Sequence, residues 1–278
     1  MEINKYSICV ICSGSFDLFL IVPRFPVEGE TMPAKKSYIK NGGKGANQAV
    51  AASKLGSSTI FAGQFGKDVY GQNLVHEMQG NMVETGNIRL LEGVQTGQAI
   101  ITLTEKGENS IIIVGGANTF YESEDSLPLE YQKAILQSRF LLLQKEIPLK
   151  ISTLAAQFAK KYQKIVMLDC GGTDEKIPEN LMKNLDFISP NSTELQSILG
   201  WEKKEISTQE IREQIIRKYK DLVVVLKKGS DGSEVISENI QIEVPSITQL
   251  DKKILDKYTI KDTVGAGDCF TAVFLCII

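Results

Sequence analysis

This sequence contains very little histidine and tryptophan, and its positive and negative charges nearly balance. Of its 278 residues, one is histidine and one is tryptophan. A catalytic triad built on histidine would depend on His76 alone, and that residue lies in a surface-helix pattern, which argues against hydrolases of this type. Lys and Arg number 31 and Asp and Glu 34, giving a net charge of −3. No basic excess indicates nucleic acid, and no polybasic cluster indicates a membrane surface.

Long apolar runs and a disulfide framework are also missing. No stretch approaches the roughly 18 apolar residues of a membrane-spanning helix. The N-terminal sequence MEINKYSICVICSG resembles neither a signal peptide nor a transit peptide. Five cysteines are an odd number, and all lie in apolar or glycine-rich surroundings, which indicates reduced thiols in a cytoplasmic protein. Hydrophobic residues make up 42%, enough for a sizeable core.

Short β-branched segments alternate with helical patterns along most of the chain. This alternation predicts an α/β fold with a mostly parallel sheet and helices on both faces. Residues 17–41 and 96–114 depart from it and predict extra strands, the second region forming a hairpin. They form either a cover over a ligand crevice or an edge extension. Strands are predicted at 7–12, 59–62, 140–143, 165–169, 187–189 and 222–227, and helices at 46–55, 69–82, 128–137, 151–162, 193–199, 207–218 and 266–278.

A glycine-rich segment, NGGKGAN at residues 41–47, leads into a helix of small residues. Glycines before a helix let backbone N–H groups approach an oxygen-rich ligand. The spacing is neither that of a P-loop nor that of a dinucleotide fingerprint. By itself the segment therefore fits a tight turn equally well.

A second segment, DTVGAGD at residues 262–268, precedes an apolar helix. The N–H groups and the positive helix end converge on a point that suits a transferring phosphoryl group. Asp268 would be positioned there to accept a proton from an attacking hydroxyl. A carboxylate that only complements the helix dipole is an equally good interpretation of this segment alone.

Three polar loops follow predicted strands. Asn191 and Glu194 fit either a crevice for a metal–phosphate complex or the capped start of a helix. Residues 226–232, LKKGSDG, fit a simple turn or a nucleotide-contacting loop. Residues 169–173, DCGGT, are interpreted as a flexible crossover.

With GGKGAN and DTVGAGD in this order, the sequence resembles the ribokinase family, within the phosphofructokinase-B-type sugar kinases. The stretches FPVEGET, GENSIIIVGGAN, LLLQKEIP, SPNSTEL and KKGSDGS extend the resemblance over essentially the whole chain. It implies one domain over residues 1–278, a three-layer α/β/α sandwich with a mostly parallel central sheet. It also implies a small β-sheet lid, contributed by about residues 17–41 and 96–114, through which a homodimer forms.

The resemblance further implies ATP-dependent phosphorylation of D-ribose at its 5-hydroxyl, with Mg²⁺ and an activating K⁺. It makes Asp268 the catalytic base, in contact with the sugar, beside an anion hole of Gly265, Ala266 and Gly267. The implied sugar-binding residues are Ser15, Asp17, Gly42, Gly43, Lys44, Asn47 and Glu146. The implied nucleotide and metal residues are Asn191, Lys227, Gly229 and Gly232 for ATP, Glu194 for Mg²⁺ through water, and Asp262 with the Val264 carbonyl for K⁺.

Two departures from the family pattern leave alternatives open. Ser15 replaces an asparagine, and its shorter side chain can lose a hydrogen bond of about 0.5–1.5 kcal/mol. Another sugar or a nucleoside is therefore an alternative acceptor. The family also continues past the GAGD helix, whereas this sequence stops at Ile278 within it. We accordingly expect a truncated chain or an incomplete nucleotide site, and a catalytically impaired sugar-binding relative is the other alternative.

Overall fold

The computed structural model describes residues 4–201, 205–250 and 263–278. In these residues the chain folds around an eight-stranded sheet. The strands of these residues are β1 (Tyr6–Ile11), β2 (Ser15–Val22), β3 (Lys36–Gly42), β4 (Thr59–Ala62), β5 (Gln64–Gly66), β6 (Arg89–Leu91), β7 (Gly97–Thr104), β8 (Asn109–Val114), β9 (Ser138–Lys145), β10 (Ile165–Gly172), β11 (Phe187–Ser189), β12 (Val223–Lys227), β13 (Ser233–Ile236) and β14 (Gln241–Val244). Their helices are α1 (Lys44–Lys54), α2 (Val69–Gly80), α3 (Leu129–Leu136), α4 (Leu149–Lys161), α5 (Glu179–Met182), α6 (Ser192–Leu199), α7 (Thr208–Ile211), α8 (Ile247–Leu250) and α9 (Ala266–Ile277).

The central sheet is mostly parallel, as predicted. Its strand order is β14-β13-β12-β11-β10-β9-β1-β4, and every neighbouring pair from β12 to β4 is parallel. The antiparallel strands β13 and β14 extend one edge. The sequence analysis missed these two strands, because a glutamate interrupts the apolar residues of each.

Alternate residues of the central strands enter two separate cores. Ile8 and Val10 of β1 join one cluster, and Cys9 and Ile11 join the other. The first cluster includes small residues of α1 and the α9 residue Leu275, whereas the second is formed with α3 and α4. Helices therefore cover both faces, which confirms the predicted three-layer architecture. In the described ranges, no helix is long and apolar enough to cross a membrane.

A separate four-stranded sheet has the order β3-β2-β7-β8. Its middle strands β2 and β7 pair in parallel, and each outer strand is antiparallel to its neighbour. The strand β2 follows β1 after a short turn at residues 12–14, so this sheet is attached directly to the central one. Its outer strand β8 exposes Ile111, Ile112 and Ile113. The sheet is built from the two regions that were predicted as lid strands, and its role as a lid stays a prediction.

Three local predictions differ from the structure. The interpretation of residues 169–173 as a flexible crossover is wrong, because β10 continues to Gly172. The helix predicted at 207–218 is α-helical only over α7 and continues as π-helical turns over Arg212–Ile216. The wider turns accompany burial of both Ile215 and Ile216. The strands β5 and β6, three residues each, were not predicted.

Replacing Leu142 tests whether β9 carries the central core. Leu142 is completely buried, so Leu142→Ala is expected to lower the free energy of unfolding by about 2–5 kcal/mol through lost contacts and a residual cavity. Urea denaturation followed by circular dichroism measures the effect. The control is Leu129→Ala, since Leu129 is 66% exposed and its truncation should change stability little. Equal effects of the two substitutions would contradict the assignment of β9 to the core.

Candidate active site

The carboxyl ends of the parallel strands bring the candidate residues to one edge of the sheet. The strand β9 ends at Lys145, next to Glu146, and β12 ends at Lys227. Asp169 lies in the last part of β10. The first turns of α1 and α9 reach the same edge, because their side chains contact one another there. This is where open α/β sheets bind their ligands.

Asp268 is a buried carboxylate held by three donors from α1. Its Oδ1 accepts hydrogen bonds from Lys44 Nζ at 3.3 Å and from Gln48 Nε2 at 3.1 Å. Its Oδ2 accepts one from Asn47 Nδ2 at 3.1 Å. The structure thus joins the glycine-rich segment 41–47 and the described part of the second segment, 263–268, in a single site. Only 6% of Asp268 is exposed, so its orientation is fixed by protein groups.

Gln48 is a site residue that the sequence analysis missed. It is completely buried, and its Oε1 accepts a hydrogen bond from Gln144 Nε2, which fixes the amide group so that Nε2 faces Asp268. The sequence feature that could have indicated it is a single glutamine beside the alanines that form the buried face of α1. A buried amide needs partners, and here the partner is the candidate base.

The start of α9 presents backbone N–H groups that have no acceptor within the helix. Gly265 is the residue before the helix and has φ 76°, a left-handed conformation that glycine adopts without strain. The Ala266 N–H donates to the Thr263 carbonyl, and the Cys269 N–H closes the first helical turn on Gly265. The N–H groups of Gly267 and Asp268 therefore have no intrahelical acceptor, and with the helix dipole they form an anion-binding point.

The predicted potassium ligands fall at the boundary of the described residues. Asp262 lies outside them. Val264 lies in the turn that precedes α9, and its side chain is exposed. The potassium site therefore stays a prediction.

Ser15, Asp17 and Gly42 lie together where the four-stranded sheet meets the central one. Ser15 and Gly42 are paired in register between β2 and β3. The Ser15 hydroxyl donates to Asp17 Oδ1 at 2.6 Å, and burial raises the pKa of Asp17. A Cβ atom on Gly42 would lie 2.0 Å from Asp17 Oδ2, so only glycine lets the carboxylate approach this backbone. The three predicted sugar-binding residues thus form one cluster, in which the Ser15 hydroxyl donates a hydrogen bond to the Asp17 carboxylate.

Glu146 supports the turn that starts α1. It accepts hydrogen bonds from the Lys44 N–H, at 2.8 Å, and from the Ser13 hydroxyl. Gly43, the residue before the helix, has φ 89°, which only glycine adopts readily. Burial raises the pKa of Glu146, although the hydrogen bonds from Ser13 and Lys44 oppose this. Ser13 was not predicted, and its contact with Glu146 links β1 to the end of β9.

Lys44 is surrounded by carboxylates. Burial alone would lower its pKa, but the charges of Asp268, Asp169 and Glu146 raise the pKa above the ordinary value for lysine. The ammonium group therefore stays charged in the site. It neutralises part of the negative charge that three acidic side chains bring together.

Asn191 and Glu194 form the capped start of α6, as one of the two interpretations predicted. Asn191 Oδ1 accepts the Glu194 N–H, and Glu194 Oε2 accepts the Asn191 N–H, both at 2.8 Å. This reciprocal pair is a capping box. Among the described residues, no group of three His, Cys, Asp or Glu side chains could hold a metal ion. Mg²⁺ often keeps its water and uses one carboxylate with the substrate phosphates, a mode that Glu194 fits because capping engages only Oε2.

A buried network around Asp169 was not predicted. Asp169 is completely buried, and its Oδ2 accepts Lys227 Nζ at 2.9 Å and the Thr271 hydroxyl at 2.6 Å. Its Oδ1 accepts the Gly171 N–H at 2.9 Å. The signal in the sequence was an aspartate at the end of the apolar run IVMLD, a position that opens on the ligand edge of the sheet.

The predicted nucleotide loop is a turn between β12 and β13. Gly229 begins a single 3-10 turn, and Gly232 follows it with φ 97°. A Cβ atom on Gly232 would lie 2.1 Å from the Val244 carbonyl oxygen, so the close approach of β14 requires glycine. These observations support the turn interpretation, and contact with a nucleotide stays a prediction.

A buried carboxylate facing backbone donors at a helix start, at the ligand edge of a parallel sheet, is the arrangement of a phosphotransferase that acts on a hydroxyl group. The chain belongs to the pfkB family of carbohydrate kinases, whose model matches residues 5–277.

Individual relatives agree with this assignment. The chain is 36% identical over 273 residues to a ribokinase of Arabidopsis thaliana, an alignment that covers 95% of this chain and 68% of that protein. It is 29% identical to the ribokinase of Haemophilus influenzae, with 98% and 85% covered. The solved structure of Arabidopsis thaliana ribokinase complexed with ribose and ATP is similar with a TM-score of 0.87 at 34% identity, covering 98% of this chain and 85% of that one.

Proposed function

We propose that the chain transfers the γ-phosphoryl group of ATP to the 5-hydroxyl of D-ribose, giving D-ribose 5-phosphate and ADP. The observation that carries the proposal is the Asp268 carboxylate, held by Lys44, Asn47 and Gln48 beside the N–H groups that start α9. The similar ribokinases support ribose as the acceptor, and one of them is described in complex with ribose and ATP.

The sugar lies between the two sheets in this proposal. The Asp17 carboxylate accepts hydrogen bonds from the sugar hydroxyls, and the Ser15 hydroxyl holds that carboxylate in place. The turn of Gly42 and Gly43 lets the sugar approach the backbone, and Glu146 contacts its anomeric end. The small sheet of β2, β3, β7 and β8 acts as a lid that excludes water and so suppresses hydrolysis of ATP.

Proton transfer and charge stabilisation are both assigned to the start of α9. Asp268 accepts the proton of the 5-hydroxyl as that oxygen attacks the γ-phosphorus. The N–H groups of Gly267 and Asp268 stabilise the charge on the transferring phosphoryl group, and Gly265 and Ala266 shape the turn that presents them. A carboxylate is a weak base, so charge stabilisation contributes most of the rate.

The nucleotide is assigned to Asn191, Lys227 and the turn of Gly229 and Gly232. Mg²⁺, when bound, neutralises charge on the phosphates. Glu194 would hold this ion, through water, since the capping bond engages Oε2 and leaves Oε1 outside it. Asp262 and the Val264 carbonyl are proposed for an activating K⁺.

The assembly and location are proposed from surface and composition. Ile111 and Ile113 are exposed on one face of β8, and a second copy of the chain would bury them in a homodimer. Buried free thiols at Cys9, Cys12 and Cys170 suit a reducing cytoplasm. We propose that residues 1–278 act as one unit that includes the lid.

Turnover with a panel of acceptors tests the proposal. The chain is incubated with ATP and Mg²⁺ and with ribose, 2-deoxyribose, fructose or adenosine, and ADP release is coupled to an absorbance change. Phosphorus NMR identifies the product. The proposal expects ribose to give the highest kcat/KM and a product phosphorylated at the 5-position. A higher kcat/KM for another acceptor, or the absence of ADP release with ribose, would refute it.

Ribose affinity is expected to depend on pH through Asp17 and Glu146. Burial raises the pKa of both groups, so each takes up a proton at a higher pH than an ordinary carboxylate as the pH falls. A protonated Asp17 loses a charged acceptor, so ribose affinity should fall about tenfold between neutral pH and the pH at which the group is neutral. Calorimetric titration at a series of pH values measures this. In Asp17→Asn the affinity should be lower and its pH dependence weaker, and an unchanged profile would contradict the role of Asp17.

A further inference from the structure

Lys227 reaches the start of the helix that carries the candidate base. It is the last residue of β12, and only 12% of its side chain is exposed. A Cβ atom built on Gly267 would lie 3.9 Å from Lys227 Nζ. Among the described residues, no other heavy atom lies within 4 Å of this Cβ position, apart from the backbone of α9 itself and the two chain neighbours of Gly267. The ammonium group therefore lies close to the first turn of α9, beside the open space at Gly267.

Asp169 fixes this ammonium group in place. Its Oδ2 accepts Lys227 Nζ at 2.9 Å and also the Thr271 hydroxyl at 2.6 Å. Thr271 lies in α9, one turn after Asp268, so a single buried oxygen ties the lysine to the catalytic helix. The remaining oxygen accepts the Gly171 N–H. Because Asp169 is completely buried, the lysine is aligned before any ligand binds.

The two lysines of the site have different environments. Lys44 Nζ contacts Asp268 Oδ1 and lies among three carboxylates. Lys227 Nζ has Asp169 as its ion-pair partner and lies 3.9 Å from the Cβ position of Gly267, in the first turn of α9. An anion at the start of α9 would therefore meet the Lys227 charge directly.

We propose that Lys227 is a catalytic residue whose ammonium group contacts the oxygens of the transferring phosphoryl group, and that Asp169 is its positioning residue. The inference rests on the proposed kinase function. In the reaction, the sugar oxygen forms a bond to the γ-phosphorus and its proton passes to Asp268. The bond from the γ-phosphorus to the bridging oxygen breaks, and its electron pair leaves with ADP. Negative charge is spread over the phosphoryl oxygens during this step, and a compact ammonium group stabilises it.

A purely structural role for the ion pair is the competing explanation, and Lys227→Met distinguishes the two. Lys228→Met is the matched control, because Lys228 is the next residue and its Nζ instead lies 3.5 Å from Glu234 and 3.6 Å from Glu243. For each protein, kcat, the KM for ATP and the KM for the sugar are measured, and thermal unfolding is followed by circular dichroism. Lys227→Met should lower kcat by about 10²-fold with less than about a threefold change in the sugar KM. Lys228→Met should keep the wild-type kcat.

Conservative and paired variants exclude misfolding as the cause. Lys227→Arg keeps the charge, and its kcat should be at least about tenfold higher than that of Lys227→Met. The double variant Asp169→Asn with Lys227→Met removes both charges, so it leaves no unpaired charge and should fold while remaining as slow as Lys227→Met. A kcat within about threefold of wild type in Lys227→Met, or a rise in the KM for ATP alone, would overturn the catalytic role. Loss of folding in both the single and the double variant would also overturn it, by making the pair structural.

The wild-type protein separates this inference from the proposed function. If it releases ADP with another acceptor rather than with ribose, the ribose assignment fails. The Lys227 comparison is then made with that acceptor, since the lysine acts on the phosphoryl donor. If the wild type phosphorylates none of the acceptors, the kinase function fails and the inference fails with it.

Discussion

Asp268→Asn is expected to lower kcat by about 10²–10⁴-fold while leaving ribose affinity within a few fold of wild type. An amide has the shape of a carboxylate but cannot accept the proton of the attacking hydroxyl. The three donors that hold Asp268 can adapt, because the Asn47 amide can turn its oxygen toward the new NH₂ group. Lys44 keeps Asp169 and Glu146 as neighbouring negative charges. The loss should therefore be one of chemistry rather than of structure.

Coupled ADP release and calorimetric ribose titration on the same preparation check this result. Asp125→Asn is the control, since its side chain is 85% exposed and forms an ion pair with Lys150 on the surface. It should change neither kcat nor the sugar KM. Turnover of Asp268→Asn close to that of the control would remove Asp268 from the role of base.

Gly43→Ala is expected to disrupt both the fold and sugar binding. Gly43 has φ 89°, and an added Cβ would lie 2.7 Å from Gly14 Cα and 3.0 Å from the Ser15 nitrogen. Backbone cannot move aside as a side chain can, so the start of α1 must shift. That shift would displace the Lys44 N–H from Glu146 and the Ser15 hydroxyl from Asp17. We expect kcat/KM for ribose to fall by about 10²-fold or more.

Gly56→Ala is the control that isolates the clash. Gly56 has φ 87°, similar to that of Gly43, but an added Cβ there meets no atom within 4 Å among the described residues. Both variants carry the conformational strain of a side chain at positive φ, about 1–3 kcal/mol. Only Gly43→Ala adds the collision near the sugar site. Urea denaturation and kcat/KM are compared for the two, and equal losses of kcat/KM would show that the close approach at Gly43 is irrelevant to activity.

The sequence predicted the parts of this protein that depend on local pattern. Apolar strands such as β4 and β11 were predicted with the bounds that the structure has, because a buried parallel strand is a short apolar run with polar ends. The helix starts at Asn191 and Ser207 could also be predicted, since each of these capping residues stands three positions before a glutamate. The two glycine-rich segments indicated that a ligand site was present.

Contacts between distant segments were harder to predict. Nothing in the run IVMLDCGG says that Asp169 meets Lys227 and Thr271, because those residues become neighbours only through the strand order. The same holds for Gln144 and Gln48, which meet across β9 and α1. Ser15 was predicted to contact the sugar from its position in the motif, and its hydrogen bond to Asp17 required the geometry of β2. Long-range pairing is not encoded in local periodicity.

The docking of α9 against α1 has a consequence for the order of folding. Lys44 and Asp268 meet across a separation of 224 residues, and Gln48 and Asp268 across 220. Closing so long a loop is slow, so these contacts should form after the nearer strand pairs of the sheet. Asp268 can thus join the site after the nearer strand pairs have formed. We expect catalytic competence to be acquired late in folding, with the undocking of α9 as a low-energy opening that hydrogen exchange can detect.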